Sequence, residues 1–101
     1  MEKIYEINYQ VIRALPNKKI HKEYIFVNGI KSLLIEGHID YGLKNPVVQI
    51  FVITYLEQSD LIYTFIFTDN LEDRDKADMM RKQVISTVKF WGSESLQAQA
   101  A

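Results

Sequence analysis

The sequence predicts an α+β protein: a five-stranded, largely antiparallel sheet in β-β-β-β-β-α order, with one long C-terminal helix packed on one face. Three observations lead there. As far as Thr68 the apolar residues fall in strand-like stretches separated by turn residues. After Asp69-Asn70 their spacing changes to threes and fours, the period of a helix. The connections are short, which favours antiparallel neighbours.

Residues 3–15 alternate, with Tyr5, Ile7, Tyr9, Val11 and Leu15 on one side and Glu6, Asn8 and Gln10 on the other. This reads as a long half-buried first strand. Pro16-Asn17 breaks it, because proline presets a turn φ and asparagine tolerates the next position. The second strand covers 20–27 and the third about 30–41, joined by Asn28-Gly29. That dipeptide between β-rich flanks signals a type I′ hairpin, in which both central residues need positive φ. A two-residue turn there sets Phe26 opposite Lys31, Tyr24 opposite Leu33 and Lys22 opposite Ile35. A turn at 42–46 leads to a fourth strand over 47–56, and Glu57-Gln58-Ser59-Asp60 joins it to a fifth over 61–68.

Asn70 is positioned to cap the helix, and Glu72 and Asp73 suit the positive end of its dipole. Ala77, Met80, Val84, Val88 and Trp91 form its apolar stripe, with Met79 and Phe90 on an exposed flank. Gly92 ends it. We expect one domain over 1–91 and a disordered tail over 92–101.

The fourth and fifth strands are apolar on both faces. Ile50, Val52, Thr54, Tyr63, Phe65 and Phe67 share one face, and Phe51, Ile53, Tyr55, Ile62, Thr64 and Ile66 share the other. A helix of about 19 residues is about 28 Å long and covers one face only. The second face needs a cover: a second copy of the chain, a curled sheet or an apolar ligand. Phe51, Ile53, Tyr55, Ile62 and Ile66 are therefore the candidate interface or ligand residues.

Bulk composition removes several function classes. With 48% hydrophobic and 25% charged residues in 101, the chain is an ordinary globular domain. A net charge of −1 supplies no overall field for nucleic acid or anionic lipid. The chain has no cysteine, which excludes disulfides, thiolate catalysis and cysteine-bound zinc. The apolar runs are too short to span a bilayer as helices, which takes about 20 residues. No export signal opens the sequence, so a cytoplasmic location is expected.

One cluster invites a chemical reading. The hairpin register sets His21 opposite Glu36, with Glu23, His38 and Asp40 on the same face. Imidazoles and carboxylates at that spacing suit a divalent metal held by His21, Glu36, His38 and Asp40. They equally suit an acid–base pair drawn from His21, Glu36 and His38. The same residues also describe the polar face of a hairpin, stabilised by opposite charges across strands. The acidic stretch 69–78 lacks the glycine and terminal glutamate of a calcium loop. The twelve aromatic residues could stack nucleobases on a sheet, but few basic residues accompany them.

Residues 26–91 resemble the PsbP-like group of small α+β domains, through Val27-Asn28-Gly29-Ile30-Lys31-Ser32, Ile62-Tyr63-Thr64-Phe65 and the helix ending Val84-Ile85-Ser86-Thr87-Val88-Lys89-Phe90. The resemblance implies an antiparallel sheet with packed helices and a non-enzymatic accessory or binding role. It transfers no site residue. Together these readings give a non-enzymatic, cofactor-free binding or accessory module, homodimeric through an apolar sheet face or edge. A small enzyme or metal protein built on His21, Glu36 and His38 is the alternative, and a pocket for a small apolar ligand between sheet and helix is the third.

Overall fold

The computed structural model describes residues 2–15, 17–40 and 46–90. It has two helices, α1 (Glu2–Arg13) and α2 (Arg74–Thr87), around four strands: β1 (Asn17–Val27), β2 (Ile30–Ile39), β3 (Val47–Leu56) and β4 (Leu61–Asn70). The strands form one antiparallel meander in the order β1-β2-β3-β4. A short 3-10 turn, Leu71–Asp73, leads into α2.

The hairpin registers follow from the turns. Asn28 and Gly29 have φ of 50° and 79°, as a type I′ turn requires. Phe26 then pairs with Lys31, Tyr24 with Leu33, Lys22 with Ile35 and His21 with Glu36, as the dipeptide predicts. A Cβ on Gly29 would meet open space, so Gly29→Ala tests backbone conformation alone. It should cost about 1 kcal/mol in a urea melt, because alanine resists positive φ. At the other end of β3, the Tyr55 hydroxyl donates to Asp60 Oδ1 (2.6 Å), pinning a turn in which Asp60 has φ 54°.

The largest correction concerns residues 3–15, which form helix α1 and not a strand; the sheet has four strands, not five. Tyr5, Tyr9 and Ile12 also recur at helical spacing, and these are the residues turned to the sheet. Ile7 and Val11, which an alternating strand would have placed beside Tyr5, remain 55% and 66% exposed. α1 supplies the missing cover. Tyr5, Ile12, Leu33, Ile35, Phe51 and Ile53 form one core layer beneath it, with Tyr9, Leu15, Ile20 and Tyr55 around them. The Tyr5 hydroxyl donates to the Lys31 carbonyl (2.6 Å) and accepts from the Tyr55 N–H (3.1 Å), fastening α1 to β2 and β3.

The opposite face packs against α2 through Val27, Leu34, Val48, Ile50, Val52, Leu56, Ala77, Ile85 and Phe90. Phe90 lies against Tyr63 in this seam, with ring centroids 5.0 Å apart. Among these residues Ser32 and Thr54 share a buried hydroxyl–hydroxyl bond of 2.7 Å, and Ser32 also bonds the Ile30 carbonyl, so neither hydroxyl is left unpaired.

α2 departs from its sequence reading in three ways. Its buried positions are Ala77 and Ile85, while Met80 and Val84 of the expected stripe are 59% and 39% exposed. The helix is turned so that Arg74, on the flank of Ile85, reaches the sheet at Glu36. The helix ends at Thr87, where Ser86 and Thr87 hydroxyls bond the carbonyls of Gln83 and Val84 and Val88 becomes extended. Phe90 therefore folds back into the core at 2% exposure, whereas Met79 does stay on the surface. Asn70 makes no side-chain capping bond; the Leu71 N–H is taken by the Pro46 carbonyl. β1 begins earlier than expected, with Asn17 paired to Ile39, and β2 ends at Ile39. Pro16, Tyr41 and the turn at 42–45, Trp91, Gly92 and the tail lie outside the described residues.

Candidate functional site

The polar cluster expected from the hairpin register lies on the α2 face of β1 and β2. A cleft of about 390 Å³ is lined by Lys19, His21, Glu36, His38 and Arg74. Glu36 is its centre, at 8% exposure. Arg74 Nε donates to Glu36 Oε1 (3.1 Å) and Oε2 (3.0 Å), and Nη2 donates to Oε1 (2.7 Å). His38 Nε2 lies 2.7 Å from Oε2. The Arg74 donors hold the Glu36 carboxyl below the usual glutamate range, against burial, which works the other way; His38 adds to the lowering. Arg74 is in turn held more firmly protonated by the same bonds.

This geometry makes the cluster a brace between β2 and the first turn of α2. Both Glu36 oxygens are occupied by charge-assisted bonds, so neither is free for a metal or for proton transfer without releasing Arg74. His21, directly opposite Glu36 in the ladder, turns instead to Glu23 at 3.6 Å, where both side chains are at least half exposed. Asp40 is not among the residues that line the cleft. Among the described residues no group of three or more His, Asp or Glu is arranged to hold a metal ion.

Arg74 was missed because nothing local marks it as a partner of Glu36, 38 positions away. One signal was present: it is a cation amid Glu72, Asp73 and Asp75 at a helix start, where the dipole disfavours positive charge. A residue so placed needs compensation from elsewhere in the fold.

The candidate interface residues separate into two groups. Phe51 and Ile53 are 7% and 1% exposed under α1, and Tyr55 is half-buried with its hydroxyl on Asp60. Ile62 and Ile66 are 49% and 56% exposed, and among the described residues none from β4 joins the core layer under α1. Helix geometry shows what surrounds them. Glu6 on α1 pairs with Lys22 of β1 at 3.7 Å, so that flank of α1 faces β1. At about 100° per residue, Val11 lies on the other flank, toward β4. On the second face, Arg74, Asp78 and Ile85 occupy the flank of α2 turned to β2, which leaves Met80 and Val84 toward the β4 edge. Exposed apolar side chains from three elements thus gather on the β4 side of the molecule.

The β1 side is different in character. Lys22 Nζ sits 4.1 Å from the Tyr9 ring centroid and Lys31 Nζ 4.4 Å from that of Tyr24. These ring faces are covered by the chain's own ammonium groups, which works against base stacking there. Among the described residues no helix is long and apolar enough to cross a membrane.

No family model, curated protein or solved structure matches this chain. The loose patterns shared with the PsbP-like group thus contribute no residue role, and the functional reading rests on the geometry.

Proposed function

We propose that this protein is a non-enzymatic binding or accessory module that works as a homodimer through its β4 side. The observation that carries this reading is the contrast between the two sheet edges. β1 presents Lys19, His21, Lys22 and Glu23 along its middle, as edge strands commonly do to block further pairing, with Tyr24 and Phe26 exposed beyond them. β4 has no charged residue and no proline from Leu61 to Thr68, and it presents Leu61, Ile62 and Ile66 to solvent. Among the described residues no further strand pairs with β4, and a long uncharged edge is built to be paired. The flanking Met80 and Val84 add apolar surface on the α2 side, and Val11 adds it on the α1 side. A second copy is the occupant favoured over a foreign protein or a small apolar molecule, because identical edges satisfy each other around a two-fold axis.

Light scattering on the purified chain is expected to give twice the mass of one chain. Ile66→Lys should convert it to a single-chain species with an unchanged far-UV spectrum, since Ile66 is more than half exposed. A wild-type protein that stays at the mass of one chain at about 100 µM would overturn the reading, because biological interfaces of standard size hold well below that concentration.

A further inference from the structure

We infer that the two copies join β4 to β4 in antiparallel fashion about a two-fold axis through Thr64, making one eight-stranded sheet; this rests on the homodimer reading above. The register follows from the sequence of β4, LIYTFIFTDN. A two-fold axis perpendicular to the sheet keeps both α1 helices on one face and both α2 helices on the other. Facing residues must then come from the same face, which places the axis on a residue and not between two.

The residues available for the axis differ sharply in what they match. An axis through Thr64 pairs Leu61 with Phe67, Ile62 with Ile66, Tyr63 with Phe65 and Thr64 with itself, each residue opposite its partner's. Every apolar side chain meets an apolar one, and the central pair is Thr–Thr, a favoured cross-strand combination. Moving the axis to Phe65 sets Leu61 opposite Asp69. Moving it to Tyr63 sets Asp60 opposite Ile66. Either shift brings a carboxylate against an exposed apolar side chain, at a cost the Thr64 register avoids. In the Thr64 register the Asp60 and Asp69 carboxylates fall at the two ends of the seam. The same arrangement joins the Ile62 and Ile66 surfaces of the two copies into one strip between the α1 helices. It also brings the Met80 and Val84 flanks of both α2 helices to the same side of the seam.

The chain has no cysteine, so single replacements report without background. Directly opposed Cβ atoms lie about 4.5–5.5 Å apart, close to the separation of about 3.5–4.5 Å that a disulfide spans. Thr64 is exposed and accepts the replacement without disturbing the core. Under mild oxidation Thr64→Cys should yield at least about tenfold more covalent dimer on a non-reducing gel than Thr68→Cys. The two Thr68 positions lie eight residues apart along the seam, about 27 Å. Light scattering of both variants in reductant is read alongside. Two-chain mass with no Thr64→Cys cross-link, or with Thr68→Cys linking in its place, overturns the register and leaves the homodimer standing. Single-chain mass for the wild type overturns both.

Discussion

Tyr5→Ala is expected to lower the stability of the fold by about 3–5 kcal/mol, the range for removing a fully buried aromatic side chain. Tyr5 is 1% exposed and is the point at which α1 is both packed and hydrogen-bonded to the sheet. Its ring fills the layer with Leu33, Ile35, Phe51 and Ile53. Its hydroxyl satisfies the Lys31 carbonyl and the Tyr55 N–H together. Tyr5→Phe separates the two contributions: the ring stays, and two backbone groups lose their partner, for about 1–3 kcal/mol. Urea melts followed by far-UV dichroism measure both variants. A Tyr5→Ala protein as stable as wild type would mean that α1 is not docked on Phe51 and Ile53. Its loss would open the second sheet face, so increased binding of a hydrophobic dye should accompany the fall in stability.

The second large effect is expected at the brace. Glu36→Gln should cost about 2 kcal/mol near neutral pH, within the range for charge-assisted hydrogen bonds. The value stays below that of a fully buried pair because the Arg74 side chain is 41% exposed and can be rehydrated. The pH dependence follows from the direction of the shift. The carboxyl of Glu36 is held below its ordinary value of 4.5, so the stabilisation is complete above the unfolded value. It is lost as pH falls through the lower, folded value. Urea midpoints of wild type should therefore drop on acidification below about pH 4.5 more steeply than those of Glu36→Gln. Parallel curves for the two proteins would show that Glu36 does not carry this charge in the folded state.

The sequence was legible where local chemistry decides the outcome. Asn28-Gly29 set an entire hairpin register, including the facing of His21 and Glu36, because few other residues tolerate two consecutive positive φ values. The two faces of β3 and β4 followed from strict alternation. The segment 3–15 misled because Tyr5, Ile7, Tyr9 and Val11 satisfy a period of two while Tyr5, Tyr9 and Ile12 satisfy a helix. Burial against the sheet decides between them, and that is a tertiary quantity. Two clues pointed to the helix. Glu6 and Gln10 stand four apart and do bond at 2.8 Å, and the uncovered second face itself called for a helical cover. On α2 the apolar stripe was sound as a helical signal but its rotation was not, because Glu36 draws Arg74 inward and turns Met80 and Val84 out. The brace as a site was half visible: the His–Glu half is local to one hairpin, whereas Arg74 enters from an element 38 residues away.

The unbroken meander also orders events in time. Each strand pairs with its neighbour in sequence, so the three hairpins close over short loops, at little entropic cost, and can zip up early. α1 has no such advantage, because its hydroxyl tether to Tyr55 spans 50 residues and requires β2 and β3 to be side by side first. α1 thus precedes in the chain the strands it packs on, yet its docking has to wait for them. Tyr5→Phe should accordingly speed unfolding while leaving the folding rate near that of wild type. Until α1 docks, Phe51 and Ile53 are exposed on the sheet, and the interval before docking is when this chain is most prone to aggregate.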